Sequence, residues 1–226
     1  MKYVSIDVET TGLDWHTCQI IQIGAVIDDL VTPIEELATF NCYIDQGIFK
    51  GEPYALSMHT EIFRQIAEAE SADMDVAGDG TPVYCNNQVT SEFTAWLWKH
   101  GFRPPMPIIV AGKNYAAFDR NHLSNIPNWD LYVKMDHRFI DPGSMYFRPG
   151  VDSEIPGLSE CLRRAGLPPH VKHTALEDAL DVVRLIRHKM FDKDMEQRCL
   201  EAHAAGDSRP LQEYIDELVE NNDPII

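Results

Sequence analysis

The chain opens with a strict alternation of apolar and polar side chains. Apolar residues at positions 4, 6 and 8 alternate with Ser5, Asp7 and Glu9. This period of two predicts a β-strand that points Asp7 and Glu9 to the same side of a sheet. Two adjacent carboxylates repel each other unless a cation lies between them, so the pair suggests a site for a hard divalent metal ion. A strand end with two solvated acids is the alternative.

Three further apolar segments predict additional strands. Positions 20–27 and 39–44 carry β-branched and aromatic residues, and Asp28 and Asp29 suit a hairpin turn between them. Positions 107–112 form a continuous apolar run that is typical of a buried strand. Together with the first strand, the segments 20–27 and 39–44 are expected to form the antiparallel core of a sheet.

Helical patterns occupy much of the remaining chain. A helix over 115–123 directly follows the buried strand, and such units place the first helical turns above the strand's carboxyl end, where sites of α/β sheets lie. Another helix is predicted to begin near Thr60, with that residue as its N-cap, and a third covers 158–165. A capping-box pattern opens a helix that runs from Thr174 to about Met190.

The composition indicates a globular protein with a substantial core. The chain has 226 residues, of which 44% are hydrophobic and 24% are charged, and this size fits one domain with a small appendage. The formal net charge of -17 argues against a protein that coats long duplex DNA, because such binding depends on broad neutralisation of phosphates. The segment 68–79 contains five acids and is interpreted as an exposed acidic loop.

The cysteines and the apolar runs bear on the cellular compartment. The five cysteines are far apart and form no Cys-x-x-Cys pair, so we expect neither a disulfide framework nor a zinc site, and a reducing cytoplasm fits best. The N-terminus has no apolar segment typical of a secretory signal, and no run approaches the ~20 residues of a membrane-spanning helix. We therefore expect a cytoplasmic protein without a membrane partner.

Carboxylates recur where strands end or helices begin. Asp119 lies in the predicted helix after the buried strand, and Asp178 lies in the second turn of the helix that follows Thr174. His173 precedes that helix and is free to lean over its N-terminus. An ordinary histidine pKa of about 6.5 suits a general base at neutral pH. Taken alone, Asp119 is more often a surface acid of a helix, and a histidine before a helix more often has no chemical role.

Three motifs together resemble the DEDDh family of 3′–5′ exonucleases, which includes the proofreading exonuclease of bacterial replicative polymerases, oligoribonuclease and ribonuclease T. Each motif is weak alone, but all three occur in the family's order over roughly residues 1–190. A histidine rather than a tyrosine in the last motif marks the DEDDh branch. The motifs are Asp7-x-Glu9-Thr10-Thr11-Gly12-Leu13, Asn114-x3-Phe118-Asp119 and His173-x4-Asp178.

The resemblance implies an α/β, ribonuclease H-like fold with a mixed central β-sheet flanked by helices. It also implies two Mg²⁺ or Mn²⁺ ions about 4 Å apart as cofactors. Asp7 would bridge both ions, Glu9 and Asp178 would hold the ion that carries the attacking water, and Asp119 would support the second ion directly or through water. His173 would take the proton of that water.

The resemblance further assigns the turn after the first strand to the 3′-terminal nucleotide of the substrate. Thr10 and the amides of Thr11 and Gly12 would contact the terminal sugar, and Leu13 would press on the base. Met58 would close the other side of the base, although ordinary core packing is an equal alternative for both apolar residues. Asn114 either contacts the substrate backbone or caps its own helix.

These implications predict a metal-dependent 3′–5′ exonuclease that hydrolyses single-stranded DNA or RNA ends to nucleoside 5′-monophosphates. An oligoribonuclease-like enzyme that prefers very short RNA is one alternative, and a non-catalytic accessory protein with a nuclease fold is another. The exonuclease domain would occupy residues 1–190, followed by a helical C-terminal extension over 191–226. A homodimer and a polymerase partner both remain open.

Overall fold

The computed structural model describes residues 2–103, 106–168 and 174–190. Two predictions fall outside this part of the chain. They are the placement of His173 over the last helix and the helical extension over 191–226.

One six-stranded sheet forms the centre of the protein. Its spatial order is β4-β3-β2-β1-β5-β6. β1 pairs with β2, and β2 with β3, in antiparallel fashion, whereas β3/β4, β1/β5 and β5/β6 are parallel. The predicted mixed central sheet is therefore confirmed. The strands are β1 (Tyr3–Thr10), β2 (Ile20–Asp28), β3 (Ala38–Asp45), β4 (Val83–Cys85), β5 (Ile108–Ala111) and β6 (Met135–Ile140).

Helices cover both faces of this sheet. None of the described helices is both long and apolar enough to cross a lipid bilayer. The α-helices are α1 (Pro53–Met58), α2 (Thr60–Ser71), α3 (Val89–Lys99), α4 (Asp119–Leu123), α5 (Trp129–Tyr132), α6 (Pro142–Tyr146), α7 (Leu158–Ala165) and α8 (Ala175–Met190), with a short 3-10 helix at Ile34–Glu36.

Three predictions about helices need correction. The helix expected over 115–123 begins only at Asp119, because Asn114 has a left-handed backbone (φ 60°) and a tight turn follows it. Thr60 is the first residue of α2 rather than its N-cap, which is His59. The segment 68–79 is helical up to Ser71, since Arg64 bonds Glu61 and Glu68 along the same helix face.

The alternation in β1 separates two layers of the core. Val4, Ile6 and Val8 pack toward α3 and α5, in a cluster that includes Phe93 and Trp129. Ser5 faces the opposite side, where its hydroxyl donates to the backbone carbonyl of Ala179 on α8 at 2.8 Å. The polar residues of β1 therefore face α8, as a strand period of two requires.

Candidate functional site

Three carboxylates meet between the end of β1 and the start of α8. Asp7 and Glu9 project from β1, and Asp178 projects from the first turn of α8 rather than from the second turn that the sequence predicted. One carboxylate oxygen from each residue lies within 4.8 Å of the other two. All three side chains are partly buried. The structure thus brings together three of the four predicted metal ligands, from opposite ends of the described chain.

A glycine in β2 allows α8 to reach this position. Gly24 pairs with Asp7 across the sheet, and a Cβ atom built on Gly24 would lie 2.1 Å from the backbone nitrogen of Leu176. Any side chain at this residue would therefore displace the helix. Gln22 adds a direct link, because its Oε1 accepts a hydrogen bond of 3.3 Å from the amide of Ala175. Close packing against β2 fixes the N-terminus of α8 and, with it, Asp178.

The fourth predicted ligand lies beside this cluster. Asp119 is the first residue of α4 and is only 2% exposed. Its Oδ1 accepts a hydrogen bond of 3.1 Å from the amide of Val8, the residue between Asp7 and Glu9. The structure therefore places Asp119 next to the predicted metal ligands of β1.

Burial and mutual repulsion raise the pKa values of these acids. Burial is the largest cause for Asp7, followed by the charges of Asp119, Glu9 and Asp178. Burial also raises the pKa of Glu9 to about 8, with further contributions from Asp178 and Asp119. The pKa of Asp119 rises for the same first reason, and the charge of Asp141 adds to it. A bound cation would relieve this repulsion and keep the acids ionised.

The chemistry of the donors fits hard divalent cations. The clustered ligands are carboxylate oxygens, which Mg²⁺ and Mn²⁺ prefer to nitrogen or sulfur. Acids crowded together without a cation would have to bind protons to lower their repulsion. The residues present therefore fit the divalent ions that the family resemblance implies.

The turn after β1 is held by hydrogen bonds. The Thr10 hydroxyl donates to the carbonyl of Gly12 at 2.8 Å. Thr11 is buried, and its hydroxyl donates to the carbonyl of Lys50 at 2.6 Å while accepting from the amide of Gln19. Gly12 lies so close to Glu52 that an added Cβ would contact its side chain at 2.8 Å. These contacts give the predicted substrate turn a defined shape.

Two apolar residues predicted to contact the substrate face solvent. Leu13 is 75% exposed and Met58 is 56% exposed. The alternative that these side chains belong to the core is therefore wrong. Asn114 is also exposed, and its backbone amide donates to Asp141 rather than capping a helix. The side chains of Leu13 and Met58 are available to a ligand, whereas the side-chain oxygen of Asn114 accepts a hydrogen bond from Lys113.

Two polar residues near the site were missed by the sequence analysis. The Nε2 atom of His59 lies 3.6 Å from Glu9, and burial lowers the pKa of this histidine. A carboxylate oxygen of Glu52 accepts a hydrogen bond of 3.2 Å from the amide of Leu13. His59 directly follows Met58, so proximity to a predicted contact was the only available signal. Nothing in the sequence pattern pointed to Glu52.

Comparison with solved structures identifies the fold. No family model and no curated protein sequence matches the chain. E. coli Exonuclease I in complex with a dT13 oligonucleotide is similar, with 16% identity, a TM-score of 0.55, and coverage of 89% of this chain and 44% of that chain. Cell-death related nuclease 4 is also similar, with 16% identity, a TM-score of 0.52, and coverage of 82% and 62%.

This likeness confirms the predicted ribonuclease H-like fold. The chain spans less than two thirds of the length of either neighbour. At 16% identity, the comparison establishes a shared architecture of sheet and helices.

Proposed function

We propose that the protein is a metal-dependent 3′–5′ exonuclease that hydrolyses single-stranded DNA or RNA ends and releases nucleoside 5′-monophosphates. The observation that carries this proposal is the meeting of Asp7, Glu9 and Asp178 within 4.8 Å, with Asp119 alongside. Both solved neighbours are named as nucleases, and Exonuclease I holds a dT13 oligonucleotide. We place this activity in the cytoplasm, as the cysteine spacing predicts.

Asp7, Glu9, Asp178 and Asp119 would hold two Mg²⁺ or Mn²⁺ ions. When bound, these ions lower the pKa of an attacking water and stabilise the charge that develops on the phosphodiester. The charges of Asp119, Glu9 and Asp178 all act on Asp7, which suits a ligand that both ions share. His173 would accept the proton of the water. It directly precedes Thr174 in the sequence.

The end of the strand would lie against the turn after β1. Leu13 and Met58 offer exposed apolar surface for the terminal base. The turn is anchored to Glu52, whose carboxylate accepts a hydrogen bond from the amide of Leu13 and holds the backbone before a substrate arrives. Such preorganisation lowers the cost of positioning the sugar for in-line attack. Asn114 would contact the backbone of the strand from the opposite side of the site.

The test is a cleavage assay on 5′-labelled oligonucleotides. With Mg²⁺ or Mn²⁺ we expect stepwise shortening from the 3′ end, and EDTA should stop it. His173→Ala should slow cleavage by roughly 10²–10⁴-fold while metal binding survives. Shortening from the 5′ end, or full activity of an Asp7→Ala variant, would overturn the proposal.

The charge of the protein favours a second candidate, an oligoribonuclease-like preference for very short RNA. A net charge of -17 disfavours long polyanions, whereas a dinucleotide needs little basic surface. Comparing kcat/KM for a dinucleotide and a strand of about 20 nucleotides, each as DNA and as RNA, separates the two candidates. Tight binding without cleavage across several metals would instead favour a non-catalytic accessory protein.

A further inference from the structure

A cavity separate from the carboxylate cluster lies beside the turn that carries Leu13. It has a volume of about 290 Å³, near the lower end of the roughly 300–1,000 Å³ typical of small-ligand sites. Its wall joins the β1–β2 connection to α4 and to the segments before α1 and α3. The residues that define its chemistry are Trp15, His16, Lys50, Asn86, His122 and Asn125. None of them belongs to the carboxylate cluster.

His122 is the most unusual residue of this cavity. It is only 1% exposed, and neither ring nitrogen has a hydrogen-bond partner of good geometry among the described residues. Burial lowers its pKa, while a hydrogen bond with the Leu13 backbone and the charge of Asp14 oppose that shift. That bond falls short of good geometry, and a buried imidazole with a poorly aligned partner costs stability, since it loses water and gains little in return. A better-placed partner on a ligand in the cavity would relieve this cost.

The other lining residues indicate what that ligand is. The rings of Trp15 and His16 lie 3.6 Å apart and form an aromatic platform, and bases of single strands stack on such platforms. Lys50 is an exposed cation at the cavity edge and suits a phosphate. Asn86 and Asn125 carry amides that can read the edge of a base, and the Asn125 side chain is held by a hydrogen bond to the carbonyl of Trp15. Aromatic, cationic and amide groups together fit a nucleotide.

The position of the cavity connects it to the candidate active site. Trp15 lies two residues beyond Leu13, in the same connection. His122 lies one helical turn after Asp119 on α4. The cavity is therefore within reach of a nucleotide that precedes a 3′ end placed at Leu13.

We propose that this cavity binds one base of the single-stranded substrate upstream of the scissile nucleotide, with stacking on Trp15, a phosphate near Lys50 and a hydrogen bond to His122. The proposal rests on the proposed function, because it assumes that the 3′ end lies at the carboxylate cluster. According to the proposal, this cavity recognises single strands that are longer than a dinucleotide.

Photocrosslinking locates the base without requiring cleavage. Single-stranded octanucleotides would carry one 4-thiothymidine at successive positions from the 3′ end, with Ca²⁺ in place of Mg²⁺, and the adducts would be mapped by mass spectrometry. We expect one internal position to crosslink to peptides that contain Trp15, Lys50 or His122. Crosslinks to these peptides from no position, or equally from all positions, would overturn the proposal. A protein that crosslinks as expected but cleaves nothing would refute only the proposed function.

Variants of the aromatic platform test the energetics. Trp15→Ala should weaken octanucleotide binding by roughly fivefold to a hundredfold, as expected for one lost base stack. Binding of a dinucleotide should remain unchanged. Trp98→Ala is the matched control, because Trp98 is 42% exposed on α3 and lines a different cavity. Equal losses for dinucleotide and octanucleotide would contradict the proposal.

A third variant separates ligand binding from a structural role of the histidine. His122→Phe keeps a ring of similar shape but removes both nitrogens. If the imidazole serves the ligand, octanucleotide affinity falls about threefold or more, and the Tm stays the same or rises because a poorly paired polar group has left the interior. A lower Tm with unchanged affinity would show that His122 is structural.

Discussion

Buried acids at the two ends of helix α8 have opposite electrostatic surroundings. Toward the C-terminus, Asp28 is fully buried, and its carboxylate receives hydrogen bonds from Arg187 and from the Tyr3 hydroxyl, both at 2.6 Å. At the N-terminus, Asp178 joins Asp7 and Glu9, whose neighbours are further carboxylates that raise their pKa values. Asp28 is neutralised by an arginine of the protein, whereas the charges around Asp7 and Glu9 are those of further carboxylates, which a bound cation would neutralise.

This difference indicates a structural role for the acid at the C-terminal end of α8 and a functional role for the acids at its N-terminal end. A buried acid with an arginine partner needs no ligand and stabilises the docking of α8 on the sheet. A group of buried acids whose charges repel one another costs stability, and proteins retain such costs mainly at functional sites. The following experiments perturb the surroundings of one end of α8 or the other. Activity, stability and Mg²⁺ affinity are expected to respond differently at the two ends.

The largest effect is expected when the shared acid is removed. Asp7→Asn should lower exonuclease activity by at least about 10²-fold, because loss of a supporting group around a metal alone costs 10–100-fold. The same change removes repulsion, so the Tm of the metal-free protein should stay constant or rise. The assays are cleavage of a 5′-labelled strand and thermal denaturation in EDTA. A clear fall in Tm would show that Asp7 is structural like Asp28.

The matched change at the other end should have the reverse profile. Arg187→Met leaves the Asp28 charge buried and unpaired, which typically costs about 3–5 kcal/mol in the free energy of unfolding. Urea denaturation measures this loss. Activity per folded molecule should change little, because Arg187 contacts Asp28 and the Thr32 carbonyl rather than the carboxylate cluster. Loss of activity at unchanged stability would contradict the comparison.

Gly24→Ala tests the packing that holds the N-terminus of α8 against β2. An added methyl would overlap the backbone of Ala175 and Leu176, and such overpacking costs about 1–3 kcal/mol. Because the N-terminus of α8 must move, Mg²⁺ affinity should weaken as well. Denaturation and metal titration by calorimetry measure the two effects. Ala25→Gly is the control, since it changes the neighbouring residue on the other face of β2. An unchanged Mg²⁺ affinity would mean that Asp178 tolerates the shift.

Mg²⁺ should stabilise the wild-type protein through one end of α8 only. A ligand at 100 times its Kd adds about 2.7 kcal/mol to the free energy of unfolding. This corresponds to a rise in Tm of about 5–11 °C for a protein of this size. Asp7→Asn should abolish most of the rise, whereas a milder Arg187→Lys variant should keep it. An equal rise in both variants would place the metal elsewhere.

The pH dependence should show the smallest effect. The pKa of Glu9 is raised to about 8 in the folded protein, against an ordinary value of 4.5. The folded state therefore holds more protons than the unfolded state, and this contribution to stability falls as the pH rises from about 5 to 8. Thermal scans in EDTA should show the decline. Saturating Mg²⁺ should reduce it, and a Glu9→Gln variant should lose part of it.

The sequence predicted those features that depend on local patterns. The alternation in β1 identified the strand and the common face of Asp7 and Glu9, because burial of one face imposes a period of two. The capping box predicted the start of α8, where the amide of Glu177 donates to the Thr174 hydroxyl at 3.3 Å. The length of α8 followed from its apolar period, which matches the residues buried against the sheet.

Features that depend on tertiary contacts could not be predicted. β6 is an edge strand whose central residues are exposed, so it has no apolar alternation. The approach of His59 to Glu9 joins two segments that only folding brings together. The need for a glycine at Gly24 arises from the backbone of a helix about 150 residues later in the chain. The position of His173 remains a prediction.

The pairing of β1 with α8 also links metal capture to the order of synthesis. The hydrogen bond from Ser5 to Ala179 spans 174 residues, so the candidate metal site does not exist until nearly the whole described chain has emerged from the ribosome. Contacts of such long range close late in folding, because the chain must first lose the entropy of a large loop. A nascent chain that ends before Asp178 has only part of the ligand set. Metal binding in this protein would therefore report the completion of folding.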